Sequence, residues 1–498
     1  MACILALDLG STQLKLLLMN EQAQVIYVGT EGYETQTPCG YQLQQRPEDW
    51  EAALLHGIWA MHEKGYGSDI CAISFSGHMS GIVLLDKKGE PLYPCIMLAD
   101  NRSTQQCKTL DERIGQRIRE ETGNPVINAF SLPKLLWMKE NEPEIWQKTK
   151  TFLSPKDYLR FMITGEMSTE YTDAYNTLCI SSKTRTWCEE IIDAAGIERT
   201  KFPQLYAPDE QTGVVSAKAA KKYGLKQGIP VFAGGADMAC GAIGMGLFKQ
   251  GESALTLGTC ATFLAMVNDV DDAHFGEVTF HLHAVPGLMY ALGSHVNGGL
   301  AVNWATCALS TSETLNYEEI ARLSEAADHL EPGSGGLLTL PFLAGSGSPY
   351  FSTLDRQTVL GISAATTRAA LFRSELEGIT LNLLQTKKAF DSMITGGISH
   401  LLLGGGGSKI GIWPQMISDV FHTPISVAAH ADASSVGAAI LGGVGAGVFP
   451  NACQAAKQSL TICHQIEPID KNSNQYNVLY DRYLQAYEFL HAFYVSLS

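Results

Sequence analysis

The chain has 498 residues, 45% hydrophobic and 17% charged, a composition that excludes a disordered chain and, at roughly 150 residues per domain, predicts two to four domains. Its formal net charge is −16, and no Lys/Arg-rich run interrupts the acidity. A nucleic-acid partner needs a basic stripe to neutralise phosphates, so that function class is excluded.

No apolar run reaches the ~20 residues of a membrane-spanning helix. The first residues, Met1 to Asp8, lack a basic segment and soon meet an acid, so no signal peptide is expected. None of the 12 cysteines forms a C-x-x-C pair, and several sit in apolar runs. Reduced thiols in a cytoplasmic protein are the expectation.

Ile4 to Leu7 reads as a buried strand, Asp8-Leu9-Gly10-Ser11-Thr12 as a turn, and Leu14 to Met19 as a second strand. Trp50 to Met61 is a predicted helix with Trp50, Ala53, Leu54 and Gly57 on one face. Ile70 to Phe75 and Gly81 to Leu85 read as strands. Gly234 to Gly246 is rich in small residues and predicts a tightly packed helix start. The boundary between two lobes, 1–246 and 247–498, is expected near Gly246.

A second hairpin follows half the chain later, with strands Ser253 to Leu257 and Thr262 to Val267 around Gly258-Thr259. Two matching hairpins suggest two related lobes. Phe372, Leu376, Ile379 and Leu383 mark an amphipathic helix. Leu401 to Leu403 is a short strand, then come Gly404 to Gly407 and a helix carrying Trp413, Met416, Ile417, Val420 and Phe421, stopped by Pro424. Tyr476, Tyr480, Tyr483, Tyr487 and Tyr494 fall near helical spacing and predict an aromatic packing face. Alternating strands and helices predict an α/β architecture.

Four segments could carry chemistry. The Asp8-x-Gly10-Ser11-Thr12 turn is either a polar hairpin tip or an anion-binding nest, with Asp8 able to hold a cation. Gly404 to Gly407 with Ser408 and Lys409 is either a flexible connection or a close-contact surface for a ligand; it lacks the P-loop spacing. Asp237, after Gly234-Gly235-Ala236, is either a helix N-cap or a carboxylate aimed at a substrate hydroxyl. As a helix start its local setting predicts a low pKa. His78, Asp100 and Arg102 follow apolar strands, where ligand-facing loops tend to lie. His281 and His283 would share a strand face, but without a carboxylate or thiol cluster a metal site there is not expected.

In this order the segments resemble the FGGY family of carbohydrate kinases, most closely its xylulokinase branch, along the whole chain. The resemblance rests on Ala6-Leu7-Asp8-Leu9-Gly10-Ser11-Thr12, on Pro133-Lys134-Leu135-Leu136-Trp137, on Pro155-Lys156-Asp157-Tyr158-Leu159 and on Thr172-Asp173-Ala174. Gly234-Gly235-Ala236-Asp237, Gly258-Thr259 and Gly405-Gly406-Gly407-Ser408-Lys409 with Trp413 and Gln415 complete it.

The resemblance implies two actin-like (ribonuclease H-like) ATPase lobes with a catalytic cleft between them, ATP and Mg²⁺ as cofactors, and phosphorylation of a pentulose-like sugar or polyol. It implies Asp237 as general base and Asp8 at the metal. Gly10, Ser11, Thr12, Lys15, Gly258 and Thr259 would serve the phosphates, with Gly405, Gly406 and Ser408 at the adenosine. His78, Met79, Asp100, Arg102 and Asp237 would line the sugar. The expected partners are ATP and the sugar, with a homodimer allowed and neither nucleic acid nor membrane.

Two departures bear on the sugar. His78-Met79-Ser80-Gly81 stands where xylulokinases usually carry Gln-Met-His-Gly, and Leu98 stands where a Trp often precedes Asp100-Asn101-Arg102. Xylulose itself is therefore not carried over. The Gly-Glu-Arg-Thr-Pro element common in the family is Gly345-Ser346-Gly347-Ser348-Pro349 here. The alternatives are an ATP-binding regulatory protein on the same fold and a kinase of a non-sugar hydroxyl compound.

Overall fold

A computed structural model describes residues 2–310, 316–429 and 432–497. The chain forms two compact units. One comprises Met1–Phe248, Phe280–Met289 and Asp432–Leu460; the other comprises Lys249–Thr279, Tyr290–Ala431 and Thr461–Ser498.

The first unit is built on a mixed sheet. Strand Cys3–Leu9 pairs antiparallel with Gln13–Asn20, with Asp8 opposite Lys15 and Leu9 opposite Leu14. On its other edge it pairs in parallel with Ile70–Gly77. Every residue of Cys3–Leu9 is buried, because helices cover both faces and leave no solvated side to alternate toward. Helix Pro47–Glu63 lies on one face, where Gly57 meets Leu16. Helix Ala433–Gly445 lies on the other, where Gly442 meets Ile4 and Ser74. The face predicted for the first helix is the one it buries: Trp50, Ala53, Leu54 and Gly57. Each fully buried leucine in this core contributes roughly 1.5–3 kcal/mol.

The small-residue stretch packs as expected, and a distant helix explains why. Helix Asp237–Gly244 lies backbone to backbone against Ala433–Gly445: a Cβ on Gly437 would sit 1.8 Å from the Cys240 carbonyl oxygen, and one on Gly244 would sit 2.0 Å from that of Ala433. Strand Gly81 to Leu85 is shorter than expected. Val83–Leu85 forms the strand, Ile82 adds a single bridge to Ile96, and Ser80 before them takes a left-handed φ of 65°.

The second unit repeats the pattern. Strands Glu252–Leu257 and Ala261–Val267 form the second hairpin, with Leu257 opposite Ala261, and His400–Gly404 pairs in parallel with Glu252–Leu257. The sheet runs on through Ile425–Ala428 to Ile462–Ile466. Helix Arg368–Met393 is buried along most of its length. Helix Trp413–Phe421 ends at His422, whose left-handed backbone caps it, before Pro424 is reached. The tail helix Asp470–Ser496 buries Tyr476, Tyr480, Tyr483 and Tyr487; Tyr494 is half-buried and its hydroxyl lies 2.6 Å from that of Thr358. Among the described residues no helix is long and apolar enough to cross a membrane.

Candidate active site

In the first unit two carboxylates converge where strands end. Asp8 is the next-to-last residue of the buried strand Cys3–Leu9, just before the first turn. Its Oδ2 accepts hydrogen bonds from Ser434 Oγ at 2.6 Å and Ser435 Oγ at 2.8 Å, both on the first turn of helix Ala433–Gly445. Asp237 is the first residue of its helix, and the N-cap position belongs to Ala236. Its Oδ1 accepts the Met238 N–H at 2.8 Å. The local setting predicts a low pKa, but the surroundings reverse it. Burial first, then the Asp8 carboxylate, push Asp237 up to about 8, against the lowering effect of the Met238 N–H. Asp237 keeps partial solvent contact. A carboxyl tuned close to neutrality suits proton acceptance.

The first turn is braced from behind. The Gly10 carbonyl accepts the Tyr33 hydroxyl. The Ser11 carbonyl accepts Gln45 Nε2 at 2.6 Å and Thr35 Oγ1 at 3.3 Å. Ser11 and Thr12 are exposed. Lys15 lies across the hairpin from Asp8 and pairs with Asp432 at 2.6 Å.

His78 is buried against the edge of Trp50, with ring centroids 6.0 Å apart. Among the described residues neither ring nitrogen has a partner, and burial lowers its pKa to about 4, so it is neutral at physiological pH. Met79 beside it is also buried. Asp100 and Arg102 form a buried pair: Asp100 Oδ1 accepts Arg102 Nε at 2.9 Å and Oδ2 accepts Nη2 at 2.8 Å. Asp100 Oδ2 also accepts the Leu43 N–H at 2.6 Å, and Arg102 lies over the Trp137 ring at 5.2 Å. These contacts hold the Asp-Asn-Arg loop by its own charges.

The second unit holds a pocket of about 1050 Å³, large enough for a nucleotide-sized ligand. Gly258, Thr259, Gly406, Gly407 and Trp413 line it. Gly405 and Ser408 shape the turn behind them: Gly405 has a φ of 84°, and the Ser408 hydroxyl donates to its carbonyl at 2.7 Å. The Gln415 amide reaches Asp419 Oδ1 at 2.8 Å and the Glu467 carbonyl at 2.9 Å. The opposite wall comes from helices Gly299–Leu309 and Tyr317–Asp328, with Asn303, Ser324 and Glu325. No motif pointed to this wall; its only signal is an amphipathic helical period.

His281 and His283 are used structurally. His281 Nδ1 lies 3.0 Å from Asn176 Oδ1, and His283 Nδ1 accepts the Val285 N–H at 3.0 Å. Among the described residues no group of three or more His, Cys, Asp or Glu side chains could hold a metal by itself. Asp8 with phosphate oxygens still fits Mg²⁺, which takes one or two carboxylates and completes its shell with phosphate and water.

The comparisons agree along the whole chain. Residues 3–244 match the N-terminal domain and residues 253–446 the C-terminal domain of the FGGY family of carbohydrate kinases. A xylulose kinase of Lactococcus lactis subsp. lactis is 34% identical, over 98% of this chain and 97% of that protein. A gluconokinase of Bacillus subtilis is 27% identical, over 96% of this chain and 94% of its own length. Among solved structures, that of a xylulose kinase from Rhodospirillum rubrum superposes with a TM-score of 0.90 at 25% identity, covering 99% of both chains.

Proposed function

Because this chain belongs to the FGGY family of carbohydrate kinases, we propose that it transfers the γ-phosphoryl group of ATP to a hydroxyl of a small, pentulose-like sugar or polyol, with Asp237 as general base. The observation that carries this reading is the placement of Asp237 as the first residue of its helix, with one backbone hydrogen bond to its carboxylate and with burial and the Asp8 charge acting on it to push its pKa up. In phosphoryl transfer the transition state is loose, so a base acts mainly by orienting the attacking hydroxyl and accepting its proton late. Asp237 does this from a position fixed by the backbone.

Asp8 would hold Mg²⁺, which would neutralise charge on the phosphate oxygens. At the turns the Gly10 and Gly258 N–H groups close the hairpins onto Gln13 and Cys260, and the exposed Ser11, Thr12 and Thr259 would offer their backbone N–H groups to phosphates, with Lys15 as a cation. The second unit's pocket would take the adenosine against Gly406. His78, neutral and buried with both ring nitrogens unpartnered among the described residues, would hydrogen-bond a sugar hydroxyl that reaches it, and Met79 would add an apolar wall. Arg102 also donates Nη1 to the Tyr93 hydroxyl and Nη2 to Gln44 Oε1, each at 3.2 Å, so the buried Asp100–Arg102 pair would present one remaining guanidinium N–H.

A coupled ADP-release assay over ketopentoses, aldonic acids, tetritols, pentitols and glycerol tests the reading. We expect one ketopentose or close polyol to stimulate turnover at least tenfold over idle hydrolysis, and Asp237→Asn to abolish the stimulation while retaining ATP binding. A protein that binds ATP but is stimulated by none of these compounds would be a regulatory ATP-binding protein instead.

A further inference from the structure

Asp237 has little of its own to aim it. Among the described residues its carboxylate accepts one hydrogen bond, from the backbone of its neighbour Met238. Its direction is therefore set by where the chain leaves strand Gly235–Ala236 and starts the helix. Pairing with strand Ile70–Gly77 fixes that junction in one direction, with Gly235 beside Ser76 and Ala236 beside Gly77. Gly234 lets the chain come that close: a Cβ there would lie 1.9 Å from the Phe75 carbonyl oxygen.

The Ala236 N–H is held by something else. It donates to Thr172 Oγ1 at 2.9 Å. The same hydroxyl donates to Glu170 Oε1 at 2.8 Å. Glu170 also accepts the N–H groups of Thr172 at 2.6 Å and Asp173 at 2.9 Å, and its carboxylate is anchored by Lys156 Nζ at 3.3 Å. Glu170, Thr172, Lys156 and Ala236 are all buried. The Thr172 hydroxyl thus spends its donor on Glu170 and its acceptor on Ala236, a combination only a hydroxyl provides. Glu170 fixes the proton's direction, so the lone pairs of Thr172 face the junction. A Cβ on Gly235 would meet the same hydroxyl at 3.4 Å, so the contact is close on both residues of the strand.

We infer that Thr172, oriented by Glu170, is a positioning residue for Asp237: its hydroxyl clamps the Ala236 amide and so sets the aim of the carboxylate one residue on. The inference rests on the general-base reading of Asp237. It predicts a defect in the chemical step rather than in binding, because Thr172 is buried behind the strand and its bonds go to protein groups. A displacement of about 1 Å in a reacting group can cost about 100-fold in rate.

The experiment compares Thr172→Val, Thr172→Ser and Asp237→Asn in the full chain, with the sugar that the activity assay identifies and ATP both varied. Thr172→Val keeps the shape and removes the hydroxyl. We expect its kcat to fall at least tenfold while KM for ATP and sugar stay within about threefold. Thr172→Ser restores the hydroxyl and should recover kcat to within threefold of wild type. Circular dichroism and a thermal melt establish that each variant is folded. Should the valine variant not fold, Thr172→Ala, which leaves a small void without the bulk, takes its place with the same expectation. Full kcat in a folded Val or Ala variant, alongside an inactive Asp237→Asn, overturns the positioning role and leaves the general base standing. An active Asp237→Asn overturns the general-base reading and the positioning role with it.

Discussion

Lys15 Nζ lies 2.6 Å from Asp432 Oδ1, a pair that joins residues 417 positions apart in the chain. It ties the first hairpin to the segment that leads into helix Ala433–Gly445, which also sends Ser434 and Ser435 to Asp8. Both partners are partly exposed, at 23% and 28%, so the pair itself should stabilise by less than about 1 kcal/mol. Urea denaturation of Asp432→Asn should show a loss of that size, shrinking further at high salt. A loss above about 3 kcal/mol would mean the pair is far better shielded than its exposure indicates. Under the proposed function the same variant frees a cation beside the phosphate turn. KM for ATP should therefore stay level or fall in Asp432→Asn and rise in Lys15→Met.

Asp237 makes a prediction about pH. Burial and Asp8 raise its pKa from 3.8 to about 8. A carboxyl whose pKa is raised on folding binds its proton more tightly in the folded state. Its contribution to stability is present at low pH and is lost as pH rises from 3.8 to about 8. Asp237→Asn cannot titrate. It should match wild type near the acid end of that window and become progressively more stable than wild type as pH approaches 8. Thermal melts across the window read the difference. Carbon-13 NMR of the Asp237 carboxyl in the free protein gives the titration directly, and Asp8→Asn should move its midpoint down. A midpoint near 4 in the unmodified protein would remove the electrostatic basis of the base assignment.

The hairpins were legible in the sequence because a strand–turn–strand is a local object, with apolar runs on either side of Gly, Ser and Thr. The helix starting near Asp237 was legible for the same reason, through its small residues. The pKa of Asp237 was not. The local rule for a helix start points down, while the larger effects come from burial and from Asp8, which only the sheet brings close. Asp432, Ser434 and Ser435 were missed because their partners, Asp8 and Lys15, lie more than 400 positions away. The segment Pro155-Lys156-Asp157 carries the family resemblance, but its sequence gives no physical role for the lysine. Nothing local tells that Lys156 is fully buried, since burial of a lysine depends on partners that come from Glu170 and Asp173.

That lysine should be costly to remove. Lys156 Nζ reaches Asp157 at 2.7 Å, Asp173 at 3.2 Å and Glu170 at 3.3 Å, and Arg160 joins Asp157 at 2.9 Å. Three carboxylates share two cations, and burial raises Asp173 to about 7. Lys156→Met would leave the carboxylates with Arg160 alone. A loss of about 3–5 kcal/mol is expected, the usual cost of breaking a buried pair from one side. Chemical denaturation measures it, and the loss should be smaller at pH 5, where a protonated Asp173 carries less uncompensated charge. A change under 1 kcal/mol would mean that water reaches the cluster.

The glycine run yields a prediction that separates folding from ligand binding. At Gly405 the backbone is left-handed, and an added Cβ would lie 2.6 Å from the Leu257 carbonyl oxygen. Gly407 is crowded too, with Leu257 Cβ at 2.6 Å and Trp413 Cζ3 at 2.8 Å. Gly406 differs: a Cβ there meets nothing within 4 Å, and the residue is exposed on the wall of the large pocket. Gly405→Ala should therefore lose at least about 1 kcal/mol of stability from the backbone alone, with ATP affinity falling as a consequence. Gly406→Ala should melt within about 2 °C of wild type yet weaken ATP several-fold, because its methyl projects where the adenosine would lie. Melting curves with and without ATP, together with calorimetric titration, distinguish the two. Equal ATP affinity in Gly406→Ala and wild type would show that the nucleotide does not lie against this turn.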